Sequence, residues 1–232
     1  MTATLIRLSF VLVTCALLIS CEVQEPEVRT YNQGANFQAQ VNNSSDHPQN
    51  GSSVVASNIG SLGWGVSEFT SATKADIIAR TNGEAFQLFY YAGHGWGPTP
   101  GEFHGLAWTN GDRLKPEDIN PKNHYIFVFM NACSSAFEPG RSDFDAKFQH
   151  PDSRVNYATI GWDGHLERRF GRKFAELFFL ECDAQKNVPT AARDAMEGAH
   201  AVLPKFIRDS QGETKIVTWG RRPHSLYLKI NP

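Results

Sequence analysis

The sequence predicts an α/β fold with a mostly parallel central sheet and helices on both faces of that sheet. Two observations predict it. Strand patterns alternate with helix patterns along most of the chain, and two strand patterns are continuous apolar runs, FQLFYYA (Phe86–Ala92) and YIFVFM (Tyr125–Met130). Alternating strands and helices are typical of layered α/β proteins. Strands that are apolar on both sides belong in the middle of a sheet, where helices cover each face.

Composition excludes several classes of protein. Of the 232 residues, 41% are hydrophobic and 20% are charged, which is ordinary for a globular chain. The formal net charge is -2 and no run of five or more Lys and Arg occurs, so the charge pattern argues against nucleic-acid binding. The sequence has no EF-hand loop and no CxxC or HxxxH pair, so we predict neither a metal nor another cofactor.

The first 21 residues have the form of an export signal. A cation at Arg7 precedes an uncharged stretch, Leu8–Ser20, that is short for a transmembrane helix. The stretch leads into Leu-Ile-Ser-Cys, which resembles the lipobox of bacterial lipoproteins. The resemblance implies cleavage before Cys21, lipidation of that cysteine and a membrane anchor at the periplasmic or outer-membrane face of the cell envelope. A plain secretory signal with a chance cysteine is the alternative.

Residues 22–53 predict a polar tether between the signal and the folded domain. This segment is rich in Asn, Gln, Ser and Pro and shows little apolar periodicity. One candidate strand, Phe37–Val41, interrupts it. The folded domain is predicted over residues 54–232, and no internal repeat or second domain is visible in that range.

The pattern within the domain alternates regularly. A helical segment, Val54–Leu62, precedes a candidate strand, Trp64–Thr70, and the next helix has Thr73 and Asp76 in capping-box spacing. A further strand is predicted at Val155–Trp162, after the two apolar runs. Two amphipathic helices follow it. Their apolar stripes are Leu166, Phe170, Phe174, Leu177 and Phe178 in the first, and Ala192, Ala195, Ala199, Val202, Leu203 and Phe206 in the second.

Each of the two apolar runs ends in a residue that can carry chemistry. His94 stands between two glycines after the first run, and Cys133 follows the second. Ligands of parallel sheets bind at the carboxyl ends of the strands. If these two strands pair at about 4.8 Å, the two side chains can approach within a few ångströms. A thiolate is a nucleophile, and a nearby imidazole can accept and donate the protons that the reaction moves. The N–H groups of Gly95 and Cys133 would then form an oxyanion hole.

Other roles for these residues stay open at this point. A histidine between glycines is commonly a turn residue, and a cysteine after an apolar strand is commonly a small buried hydrophobe. Cys133 could also pair with Cys182 in an oxidising compartment. We favour free thiols because the two cysteines lie in runs that predict different buried elements.

The segment YYAGHG, with Cys133 of FMNACSSA 39 residues after its histidine, resembles the caspase-like cysteine peptidases. This superfamily includes caspases, metacaspases, legumains, clostripain, gingipains and CHAT domains. The resemblance covers about residues 54–230 and implies a three-layer caspase-like fold, a catalytic dyad of His94 and Cys133, and a peptide or protein substrate. Asn131 stands where Arg- and Lys-directed members commonly carry Asp. We therefore expect Asn131 and Gly95 at the substrate and oxyanion positions, without an acidic specificity pocket.

The sequence as a whole predicts a membrane-anchored cysteine-type endopeptidase. A non-catalytic caspase-like scaffold or binding module at the membrane is the alternative, which the missing acidic residue and the short, polar N-terminal part of the domain favour. Acyl transfer by the same dyad also stays open.

Overall fold

The computed structural model describes residues 33–39, 52–121, 124–149 and 151–230, which belong to a compact unit spanning Tyr31–Pro232. The predicted signal, its lipidation residue Cys21 and most of the predicted tether lie outside the described residues. Within the described part of the chain, no helix is long and apolar enough to cross a membrane.

The described chain contains nine strands and six α-helices. The strands are β1 (Gln33–Ala39), β2 (Gly65–Ala72), β3 (Leu88–Ala92), β4 (His94–Trp96), β5 (Gly105–Ala107), β6 (Arg113–Leu114), β7 (Phe127–Asn131), β8 (Ala158–Trp162) and β9 (Ile216–Trp219). The helices are α1 (Ser52–Ser61), α2 (Lys74–Gly83), α3 (Gly140–Phe148), α4 (Arg168–Asp183), α5 (Val188–Val202) and α6 (Lys205–Gln211). Short 3₁₀ turns cover Pro116–Asp118 and Pro223–Ser225.

Six strands form the central sheet in the order β2-β1-β3-β7-β8-β9. All neighbouring pairs from β2 to β8 are parallel, and β9 closes the edge antiparallel to β8. A separate antiparallel sheet contains β4, β5 and β6. The predicted α/β class with a mostly parallel sheet is confirmed.

Strand β1 corrects the predicted tether. Residues 33–39 form a strand that lies between β2 and β3, so this part of the 22–53 segment belongs to the sheet. Its Gly34 is buried, and a Cβ added there would contact Leu88 and Ile59 at ordinary distances. The polar sequence QGANFQA does not have the apolar character of a central strand. Backbone hydrogen bonds to β2 and β3 hold this strand in the sheet, and sequence periodicity does not reveal such bonds.

Helices cover both faces of the sheet, because successive side chains of the central strand β7 point to opposite faces and are apolar on both. Phe127 and Phe129 point toward a core shared with α1, α4 and α5, whereas Val128 and Met130 point toward α2 and α3. All four side chains are fully buried. Each such side chain contributes about 1.5–3 kcal/mol by leaving water, so the two apolar runs fix the centre of the sheet.

The capping box and the first amphipathic helix are confirmed. Thr73 accepts the N–H of Asp76, whose carboxylate accepts the N–H of Thr73 in return, and this lowers the pKa of Asp76. In α4, Phe170, Phe174 and Phe178 are fully buried. The six-residue stripe predicted for the second helix does not run through one helix. α5 ends at Val202, because Pro204 cannot continue a helix, and Phe206 lies exposed on α6.

Candidate active site

The ends of β3 and β7 bring the two predicted catalytic residues to the same edge of the sheet. Ala92 is paired with Asn131, and the Gly93 N–H donates to the Asn131 carbonyl at 3.3 Å. His94 and Cys133 therefore each follow this register pair by two residues. Both side chains are partly exposed. The adjacent parallel strands that the sequence predicted are present.

Gly95 brings the backbone of the His94 segment directly against that of Cys133. A Cβ added at Gly95 would lie 2.0 Å from the Cys133 carbonyl oxygen and 3.4 Å from the ring of Phe103. Neither neighbour is the free end of a flexible side chain, so only glycine permits this approach. The glycine predicted to lie at the site is thus required by packing against the cysteine itself.

The backbone at His94 is fixed by the small sheet and by Tyr91. His94 begins β4 and pairs with Ala107 of β5. The buried Tyr91 hydroxyl lies 3.3 Å from the His94 carbonyl and 3.2 Å from the Ala107 carbonyl, as donor to both. Burial raises the pKa of Tyr91, so the hydroxyl stays protonated and remains a donor.

Cys133 lies on a turn that is tied to the neighbouring strand β8. Ser134 has a left-handed backbone with φ 58°, and its N–H donates to the Gly164 carbonyl at 2.7 Å. The buried Ser135 hydroxyl donates to the Met130 carbonyl at 2.7 Å and accepts the Trp162 N–H at 3.0 Å. A left-handed non-glycine residue costs about 1–3 kcal/mol, which these bonds offset. Within the described part of the chain, the Cys133 N–H donates to no backbone carbonyl.

The Cys133 sulfur contacts the loop between β8 and α4. The Leu166 N–H donates to Sγ at 3.3 Å, and the Leu166 carbonyl lies 3.9 Å from it. Nδ1 of His165 lies 4.0 Å from Sγ, within reach of a hydrogen bond to sulfur. A backbone N–H and an imidazole nitrogen thus lie within hydrogen-bonding distance of the thiol.

The two cysteines of the domain are both free thiols. Cys182 is fully buried in α4, and burial raises the pKa of its thiol well above the ordinary value. The alternative of a Cys133–Cys182 disulfide is therefore excluded in this structure. Cys133 remains available as a nucleophile.

His165 is the residue near the sulfur that we did not predict from the sequence. It stands in WDGHL, just after β8, so its Gly-His pair repeats the pattern that drew attention to His94. β8 is the parallel neighbour of β7 on the side opposite β3. The Gly-His pair could therefore have indicated His165, but β8 lacks the long aromatic run that made β3 conspicuous.

Asn131, predicted at a substrate or oxyanion position, is directed into the protein interior. Its side chain is buried, and Nδ2 donates to the Tyr90 hydroxyl at 3.2 Å and to the Gly171 carbonyl at 3.1 Å. Its Oδ1 accepts the Trp162 indole N–H at 2.9 Å. The alternation of β7 directs residue 131 toward α4, beside Phe129, so the amide stabilises the packing of the sheet on α4.

No group of three or more His, Cys, Asp or Glu side chains within the described ranges has the arrangement of a metal site.

Comparisons with known proteins give structural neighbours. No protein-family model and no curated protein matches the chain. The crystal structure of the Arg-specific cysteine proteinase gingipain R superposes with a TM-score of 0.56 at 15% identity, covering 85% of this chain and 47% of that one. The complex of the pro- and mature domains of RgpB from Porphyromonas gingivalis gives a TM-score of 0.53 at 14% identity, covering 84% and 48%.

These neighbours define the fold of the chain. It is a caspase-like α/β fold of the kind found in the gingipain cysteine proteinases, with a mostly parallel central sheet and helices on both faces. The chain spans about half the length of the two proteins it resembles.

Proposed function

We propose that this chain is a cysteine-type endopeptidase in which Cys133 is the nucleophile and His94 carries protons. The observation that supports the proposal most is the register of β3 and β7. It places the residues after Ala92 and Asn131 at one edge of the sheet, with Gly95 packed on the Cys133 carbonyl. The caspase-like fold, shared with known cysteine proteinases, supports the same conclusion.

The proposed reaction is acyl transfer through a thioester. The Cys133 thiol gives its proton to an imidazole, and its sulfur attacks the scissile carbonyl carbon. The C–N bond breaks, and the amine leaves with a proton from His94. Water then attacks the thioester, gives a proton back to His94 and frees the sulfur. The N–H groups of Cys133 and Gly95 are the proposed donors to the oxyanion. The Cys133 N–H suits this role because it has no backbone acceptor within the described residues.

The proposed substrate is a peptide or protein whose P1 residue we leave unassigned. Arg specificity belongs to gingipain R, by its name. In this chain the residue two before the cysteine is Asn131, which is uncharged and buried. A neutral side chain that is fully engaged in hydrogen bonds gives no basis for extending that specificity here.

We further propose that Cys21 carries a lipid that anchors the domain to the cell-envelope membrane. The lipobox-like sequence supports this, and several acyl chains hold a soluble domain on a bilayer stably. Expression with labelled palmitate should give a labelled protein in the membrane fraction. Cys21→Ala should lose the label and move to the soluble fraction, whereas unchanged labelling of that variant would contradict the anchor.

Covalent labelling tests the nucleophile directly. The full chain should react with a mixture of peptidyl acyloxymethyl ketones that differ at P1, and mass mapping should place the adduct on Cys133. Cys133→Ala should lose the adduct, and Cys182→Ala, the matched control for the other domain cysteine, should keep it. Equal labelling of Cys133→Ala would contradict the assignment. A folded wild type that neither labels nor cleaves peptides would favour the scaffold alternative.

A further inference from the structure

The sulfur of Cys133 is flanked by segments from both neighbouring strands. On the β3 side, Gly95 packs on the Cys133 carbonyl. On the β8 side, Nδ1 of His165 lies 4.0 Å from Sγ, and the Leu166 N–H donates to Sγ at 3.3 Å. His165 is exposed, so its ring lies on the solvent side of the sulfur.

A buried amide holds the backbone on either side of His165. Gln211, the last residue of α6, is 2% exposed. Its Nε2 donates to the His165 carbonyl at 3.4 Å, and its Oε1 accepts the Glu167 N–H at 2.8 Å. The Gly164 carbonyl accepts the Ser134 N–H at 2.7 Å, which joins this loop to the cysteine turn. These hydrogen bonds hold the backbone that carries His165 next to the cysteine turn.

The carboxylates that neighbour His165 in the chain have other partners. Asp163 accepts the Lys215 N–H at 2.5 Å and so links the loop to β9. Glu167 accepts the Phe170 N–H at 2.8 Å as the cap of α4, and it also pairs with Arg169 at 2.9 Å. The group that faces the His165 Nδ1 is therefore the thiol of Cys133 rather than either carboxylate.

We propose that His165 is a catalytic residue that takes the proton of the Cys133 thiol, and that His94 serves the leaving amine and the hydrolytic water. The inference rests on the proposed peptidase function. The S–H bond breaks, its electron pair stays on sulfur, and the proton forms an N–H bond at Nδ1. The result is a thiolate–imidazolium pair, and the Leu166 N–H stabilises the thiolate. The thiolate is the form that attacks the carbonyl carbon.

The experiment measures thiolate formation apart from peptide cleavage. The full chain is treated with iodoacetamide at pH 7, and mass mapping gives the alkylation rate of Cys133, with buried Cys182 as the internal reference. His165→Ala and His165→Asn should each slow the rate by about 10²-fold or more, the lower end of the effects of positioned proton acceptors. Asn keeps a polar atom near the Nδ1 position but does not accept the proton.

Matched histidine variants complete the experiment. His94→Ala should leave the alkylation rate within about twofold of wild type while lowering peptide cleavage by about 10² or more. His224→Ala is the control, because His224 is exposed and follows β9 at the end opposite the site. It should change neither rate. Because His165 is exposed, its variants should retain the wild-type melting temperature.

Two results would overturn the role of His165. One is slow alkylation in His94→Ala together with a normal rate in His165→Asn, which would assign thiolate formation to His94. The other is a loss of rate in His165→Ala that His165→Asn restores, which would make the residue a positioning group. Neither result affects the peptidase proposal, which fails separately if Cys133→Ala still cleaves peptides.

Discussion

Two Gly-His segments follow β3 and β8, the strands on either side of β7, and they differ in backbone structure and exposure. The segment after β3 becomes a strand at once, and Tyr91 holds the His94 carbonyl. The segment after β8 stays an exposed loop, held by the buried side chain of Gln211. The first approaches Cys133 through backbone packing, and the second through an imidazole near its sulfur. The β3 side of Cys133 thus contributes closely packed backbone, and the β8 side contributes an exposed imidazole.

The largest effect is expected from removing the close approach on the β3 side. Gly95→Ala places a methyl group 2.0 Å from the Cys133 carbonyl oxygen, so the two segments must separate. We expect a loss of about 3 kcal/mol in unfolding free energy, as for overpacked sites. Peptide cleavage should fall by about 10² or more, as expected for a displacement of about 1 Å. Urea denaturation and a peptide-cleavage assay measure the two effects.

The matched control is Gly60→Ala in α1. A Cβ added at Gly60 meets nothing within 4 Å. Gly60 lies in the last turn of α1, where alanine loses less conformational entropy than glycine, so this variant should gain up to about 0.5 kcal/mol and keep its activity. If both alanine variants behaved alike, the contact between Gly95 and Cys133 would not limit the site.

A smaller effect is expected on the β8 side. Gln211→Leu leaves the Glu167 N–H and the His165 carbonyl without their partner. Losing these bonds should cost about 1–3 kcal/mol in unfolding free energy. The alkylation rate of Cys133 should fall with the loosened loop. Gln211→Glu keeps an acceptor for the Glu167 N–H, so its alkylation rate should lie between wild type and Gln211→Leu. A wild-type alkylation rate in Gln211→Leu would show that the reactivity of Cys133 does not depend on the hydrogen bonds of Gln211.

The smallest effect concerns the other end of β8. Asp145 of α3 accepts hydrogen bonds from Tyr157 at 2.7 Å, Thr159 at 2.9 Å and the Trp219 indole. Burial raises the pKa of this carboxyl above its ordinary value despite these donors. The folded state therefore favours the protonated form more than the unfolded chain does. Its stabilising contribution is complete below the unfolded pKa of about 3.9 and is lost as pH rises through the folded pKa.

Asp145→Asn should remove this pH dependence. The unfolding free energy of wild type relative to the variant should decrease as pH rises from about 4 through the folded pKa, because only wild type ionises there. Urea denaturation at several pH values measures the difference. A wild type that gains stability relative to Asp145→Asn over the same range would contradict the raised pKa. Alkylation of Cys133 should not change, since the network lies at the end of β8 away from the site.

The fold was largely predictable from the sequence because its two central strands consist mostly of apolar residues. β3 and β7 are buried on both faces, so their runs are continuous and their ends mark the site. β1 was predicted only in part: the candidate strand Phe37–Val41 overlaps it at residues 37–39, but its first half is polar and is held by backbone ladders. The end of α5 was misplaced because the apolar stripe continues past Pro204 into α6.

The site was predictable in part, for similar reasons. The order of the strands, which places β8 beside β7, is a tertiary fact that local patterns do not contain, so His165 went unnoticed. The direction of Asn131 depends on where the alternation of β7 places residue 131 relative to α4. Sequence shows that Asn131 precedes the cysteine by two residues, but not that Tyr90, Trp162 and Gly171 surround its amide.

Kinetics on peptide substrates test the proposal that Cys133 and His94 together cut peptide bonds. The full chain is incubated with a quenched-fluorescent peptide library of mixed sequence, and initial rates are compared with those of Cys133→Ala, His94→Ala and the double variant. We expect cleavage by wild type and losses of about 10²-fold or more in each single variant. The double variant should show no further loss, because the effects of residues that act as one unit are not additive. Cleavage by Cys133→Ala at the wild-type rate would contradict the claim.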